Sequence, residues 1–219
     1  MELSRLMMFD PNTYIQMLYS YNLFIWPAPL VSLVLIGLIF GLFFKSGDIN
    51  DRITSSFLGG FWIWTGIVFH LLEYSVINLA APLFGALFIL QGSLFFWTGT
   101  LRGRLDYSGG CFKDRMRGFS LAVFALAFHP LIAISNGGSW LQAPLAGLAP
   151  DATLVFSLGF LGLSKGRPPR HMLIIPGIWC IIATVTAWLI EVPSLWALPL
   201  VGWAGFLWLS LKERGAEEF

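Results

Sequence analysis

The sequence predicts an all-α fold: a polytopic bundle of seven transmembrane helices, N-terminus outside and C-terminus inside, preceded by a short interfacial helix. Three observations predict it. The 219 residues are 57% hydrophobic and 11% charged, less than half the roughly 25% charge of ordinary globular chains. Apolar residues form long unbroken runs, unlike the alternating segments of a transmembrane barrel, and helices are the other structure that satisfies its own backbone in lipid. The basic residues fall in every second connection. A formal net charge of +1 supplies no field to attract nucleic acid, and two cysteines cannot staple a secreted domain.

The first element is predicted over 11–22. Asp10-Pro11 reads as an N-cap followed by proline at the first helical position. Tyr14, Ile15, Met17, Leu18 and Tyr21 then give a helix suited to lying on the outer interface. Glu2, Asp10, Pro11 and Asn12 break the apolar stretch that a secretory signal requires. Pro27 and Pro29 should bend the chain as it enters the first span. A membrane helix needs about 20 residues, which places spans at about 24–44, 53–77, 79–101, 118–136, 152–164, 172–190 and 195–211. The fifth, reaching only about 20 Å, is a candidate half-helix.

Charge tests this count independently, because Lys and Arg accumulate on the cytoplasmic side. Lys45 and Arg52 follow the first span; Arg102, Arg104, Lys113, Arg115 and Arg117 follow the third. Lys165, Arg167 and Arg170 follow the fifth, and Lys212 and Arg214 the seventh. Only Arg5 of the thirteen basic residues lies on the other side. The chain reads as one integral membrane domain, 1–219, without a soluble domain, low-complexity segment or internal repeat. Cys111 in a cytoplasmic loop and Cys180 in the sixth span cannot meet.

Ionisable groups inside a membrane are costly and usually face a bundle interior or a water-filled cavity. His70 and His129 each precede the outer end of a span by about seven residues, roughly 10 Å. The short fifth span brings Asp151, read as a helix N-cap, to a similar depth. Glu73 shares a helical face with His70. Asn22, Tyr74, Asn78 and Asn136 also lie toward the outer side, with Gln91 near mid-membrane. Pro130 removes a backbone donor beside His129 and frees the carbonyl of Leu126. The segment 137–150, rich in Gly, Ala and Pro, reads as a lid. The candidate pocket is therefore His70, Glu73, His129, Asp151, Asn22, Asn78 and Gln91. For each, a hydrogen-bonding bridge, interfacial anchor or plain helix cap is the competing assignment.

The strings YNLFIWPAP, FWIWTGIVFHLLEYSVINLAAPLFGALFILQ and FHP, with WxWxGxxxH and INxAAxxFG their most specific parts, resemble a family of bacterial multi-span proteins carried as a domain of unknown function. Its members are sometimes labelled permease-like. The resemblance covers most of the chain and implies a bacterial inner-membrane location and this fold, without an activity or cofactor. Where many relatives have Cys-Pro this chain has Ala149-Pro150, which removes a thiolate ligand.

Three functions fit these residues. The first is permease-like handling of a small solute or ion at an outward-facing polar pocket, as broken helices and titratable groups suggest. The second is a non-catalytic accessory or scaffold subunit with membrane partners, or a homo-oligomer. The third is a haem or metal site with His70 and His129 as ligands. An enzyme is not expected: GxSxG, P-loop, HExxH and CxxC motifs are all missing. All four lysines lie at cytoplasmic ends, so no retinal Schiff base can form in the seventh span. The basic loop Arg102–Arg117 is positioned to meet anionic lipid headgroups.

Overall fold

The computed structural model describes residues 11–45, 47–107, 109–135, 143 and 145–212, and every regular element among them is helical. In chain order these are α1 (Pro11–Phe24), α2 (Ala28–Phe43), α3 (Asp48–Trp64), α4 (Ala81–Phe95), α5 (Phe112–Ser135), α6 (Pro150–Leu163), α7 (His171–Ile190) and α8 (Ala197–Leu211). Helix α3 continues as a π-helical stretch over Thr65–Glu73 and a 3-10 turn over Tyr74–Val76, and α4 as π turns over Phe96–Leu101. Asp10 lies outside the described residues.

Each predicted span has its helix, and length and apolarity divide these helices into two groups. Among the described residues three helices are long and apolar enough to cross a membrane: Asp48–Val76, Ala81–Leu101 and His171–Ile190. The pair Asn12–Phe24 and Ala28–Phe43, bent by 79°, makes a fourth if counted as one span. The apolar helices α6 and α8 have 14 and 15 residues, about 21–23 Å at 1.5 Å per residue. Helix α3 begins at Asp48, before the predicted start at 53, because Asp48 and Asp51 occupy its first turn. Acidic side chains favour that position, but hydropathy excludes them. The bend between α1 and α2 falls at Pro27, whose bond to Trp26 is cis.

Glycine spacing sets the helix pairing. Gly59 and Gly66 on α3, and Gly85, Gly92 and Gly99 on α4, recur at seven-residue intervals. A Cβ on Gly92 would lie 2.6 Å from the carbonyl oxygen of Gly59, and one on Gly66 2.9 Å from that of Gly85. The two helices therefore run antiparallel with their backbones in contact, as small residues permit in membrane bundles. Gly118 on α5 and Gly159 on α6 meet the same way, each Cβ position within 2.7 Å of the other's carbonyl oxygen.

Helix α6 is the centre. From Ala152 to Leu163 every residue is buried, as expected of a helix apolar all round. Its C-terminal carbonyls are met by Lys212, whose Nζ donates to Gly162 O (3.0 Å) and Ser164 O (2.8 Å) and pairs with Asp114 at 3.1 Å. Other connections predicted as cytoplasmic gather at this end. Arg52 donates to Thr100 O and Leu101 O at the end of α4, and Lys165 N donates to Asp106 O.

A methyl group at Gly92 would overpack against backbone that cannot yield. Gly92→Ala should lower stability by about 1–3 kcal/mol, measured by thermal unfolding in detergent. Gly41→Ala, on an open face of α2 with nothing within 4 Å, should leave the Tm unchanged or raise it.

Candidate functional site

The site forms where α6 begins inside the bundle. Ala149 is extended (φ −110°, ψ 145°), Pro150 takes the first helical position and Asp151 lies in the first turn. Asp151 is therefore not the N-cap that the sequence suggests. Its carboxylate instead accepts a 2.7 Å hydrogen bond from Trp179 Nε1 of α7. Thr153 holds the turn, accepting from Gly147 N (2.9 Å) and donating to Ala149 O (2.6 Å).

His70 comes from the π-helical extension of α3, a wider turn that often marks functional positions. Its side chain is wholly buried, and neither ring nitrogen has a hydrogen-bond partner. The imidazole sits among aromatic rings: centroids are 4.8 Å away for Phe88, 5.1 Å for both Phe69 and Trp179, and 6.0 Å for Phe84 and Tyr74. His70, Asp151, Trp179, Tyr14, Tyr74 and Thr186 line one cavity of about 20 Å³, enough for one water, which needs roughly 10–15 Å³. Helix α1 closes its outer side through Tyr14 against Tyr74 (5.9 Å) and Tyr21 against Phe69 (5.3 Å).

Of the predicted pocket residues, the fold brings His70 and Asp151 together and leaves others apart. Asn22 donates to Ala143 O (3.3 Å), and Asn78 Oδ1 accepts from Ala80 N (2.9 Å) in the turn before α4. Glu73 is half-buried beside the cavity without lining it. Gln91 is buried against α7, its Nε2 donating to Met172 O (3.1 Å) while its Oε1 has no partner. Met172 is seven residues from Trp179, about 10 Å along α7. His129 belongs to α5, which runs on through Pro130, but the His129 side chain and Asn136 lie outside the described residues.

The segment 137–150, read from the sequence as a lid, is described only in part. Residues 136–142 and 144 lie outside the described part, while Ala143 and 145–149 are buried inside the bundle. Their carbonyls are held by Ser32 Oγ to Ala146 O (2.7 Å), Tyr21 Oη to Leu148 O (3.0 Å) and Thr65 Oγ1 to Gly147 O (3.4 Å). Gly147, at φ +86°, lies against the ring of Phe61, where a side chain would be strained and crowded. Residues 145–149 form a wedge between helices, because a buried non-helical backbone must find partners within the protein.

Sequence reasoning missed Trp179, Tyr14 and Thr186 at the cavity, and the contact of His171 Nε2 with Thr98 Oγ1 (2.9 Å) on the same α4–α7 seam. A tryptophan in the middle of an apolar span, away from either interface, is the signal that points to Trp179. Among the described residues no three His, Cys, Asp or Glu side chains converge on a metal position. The arrangement can hold a proton. The imidazole of His70 and the carboxyl group of Asp151, both able to take or give a proton, open onto the same cavity.

Trp179→Phe should leave the Asp151 carboxylate without its donor and cost about 1–3 kcal/mol. Thermal unfolding in detergent checks this, with the half-exposed Trp188→Phe of the same helix as the neutral comparison.

A model for a family of unknown function, DUF6064, matches residues 12–218, so the chain belongs to that family. No curated protein and no solved structure matches it.

Proposed function

We propose that this member of DUF6064 is a permease-like integral membrane protein that handles an ion, the proton, at the His70–Asp151 cavity. The seven predicted helices are embedded with the N-terminus outside and the C-terminus inside a bacterial inner membrane. The alternation of basic connections supports that orientation. One observation carries the functional reading: the wholly buried His70, both ring nitrogens unpartnered, lines the same cavity as Asp151. Leaving a buried polar group unpaired costs about 1–3 kcal/mol. Packing alone offers no compensation, since an apolar residue would fill the aromatic cage as well. A cavity of about 20 Å³ has no room for an organic solute. A proton passing between imidazole, water and carboxylate needs no more space.

Proteoliposomes with an internal pH-sensitive dye and an imposed potential test this. Wild type should move protons, and His70→Gln or Asp151→Asn should slow the movement by about two orders of magnitude, the usual scale of a lost acid–base group. Asp151→Asn keeps an oxygen for Trp179 and so isolates the charge. Unchanged flux in folded variants would overturn the proposal.

A second reading, an accessory or scaffold subunit, is favoured by the turn between α3 and α4. Val76 and Leu79 there are 79% and 80% exposed, at the tip of a hairpin where a polar turn is ordinary. On this reading gentle detergent extraction yields a stoichiometric partner, and Val76→Ser with Leu79→Ser releases it. Recovery of wild type as a bare monomer excludes this reading.

A further inference from the structure

At the end of the bundle where the basic connections gather, α5 and α8 diverge and leave a groove of about 660 Å³. Leu121 and Phe124 of α5 face Val201 and Ala204 of α8 across it, and Trp208 closes its basic end. The floor is α6, where Leu158 lies against Gly205. From Arg117 to Phe124 the walls extend seven residues, about 10 Å, changing from charged to wholly apolar.

Among the described residues the charge at the mouth is uncompensated. Arg117 is exposed, its guanidinium 5.9 Å from the Trp208 ring, and no described carboxylate pairs with it. The nearest acidic residue in sequence, Asp114, is taken by Lys212. Lys113 and Arg115 precede Arg117 on the same helix, and the Ser120 hydroxyl lies one turn further in on the groove wall. A cation and a hydroxyl at the head of an apolar channel match an anionic headgroup with an acyl chain below it. Basic pockets between helices on the cytoplasmic side take such lipids.

We infer that the groove between α5 and α8 binds one anionic phospholipid, its phosphate held by Arg117 and Ser120 and an acyl chain lying between Phe124 and Val201. The inference rests on the membrane-embedded reading and is independent of proton handling at His70.

Native mass spectrometry of the detergent-purified, delipidated protein, titrated with phosphatidylglycerol or phosphatidylcholine, tests it. Wild type should take up one phosphatidylglycerol in preference to phosphatidylcholine, with the preference weakening as salt rises. Arg117→Gln should weaken phosphatidylglycerol binding about fivefold, the effect of one basic residue at an anionic surface, and leave phosphatidylcholine unchanged. Ala204→Phe, which fills the groove, should block both. An unchanged preference in Arg117→Gln overturns the site. So does a dimer of wild type that Ala204→Phe dissociates, because a second chain then occupies the groove. Recovery of the protein from cells without detergent would instead overturn the membrane reading itself.

Discussion

A helix buried along its whole length has no water at either end, and much of this structure answers that constraint. The four N–H groups at a helix start and the four carbonyls at its end have no partner within the helix. For α6 both ends lie within the protein. Lys212, from the end of α8, supplies a cation where the helix dipole favours one, and Asp114 balances it. At the other end Tyr21, Asn22, Ser32 and Thr65 reach from α1, α2 and α3 to the carbonyls of the entering chain. Polar residues scattered through apolar helices thus share one task. Trp62 adds a bond along the helix flank, donating to Ser157 Oγ at 2.8 Å.

The same constraint explains why His70 stands apart. Beside it, Asp151 accepts from Trp179 and Thr153 holds the turn at the start of α6. His70 has aromatic rings and a cavity instead. Buried polar atoms are paired in the great majority of cases, so an imidazole with two open nitrogens beside an anchored carboxylate is chemically distinct from the residues around it. The backbone-to-backbone contacts of α3 with α4 hold the π-helical turn that presents this ring, since Gly66 lies within that turn and Gly85 faces it.

Much of this was legible in advance, and the failures have physical causes. Hydropathy located a helix for every predicted span. It misplaced starts such as Asp48, because a charged first turn is favourable for a helix yet reads as loop. Depth counting set His70, His129 and Asp151 at one level; His70 and Asp151 do line one cavity, while the His129 side chain lies outside the described residues. Asn22 and Asn78 enter the expected pocket from the outer side and Gln91 from mid-membrane, because position along a helix carries no information about which way a side chain faces around it. The N-cap assignment for Asp151 failed because an aspartate beside a proline fits either the cap or the first turn. Trp179, from a distant helix, decided which.

The sequence by itself determined the all-α class, the helix inventory and the alternation of basic connections, since each depends on local composition and its spacing along the chain. It also carried the heptad glycines, though their meaning appears only once α3 and α4 are seen to pair. The tertiary structure decided that the shortest apolar helix is the core rather than the margin, and that the chain before it is a wedge. It also decided that one histidine and one aspartate share a space of molecular size. Those outcomes depend on which faces of separate helices meet, a matter of rotation and crossing that no residue specifies alone.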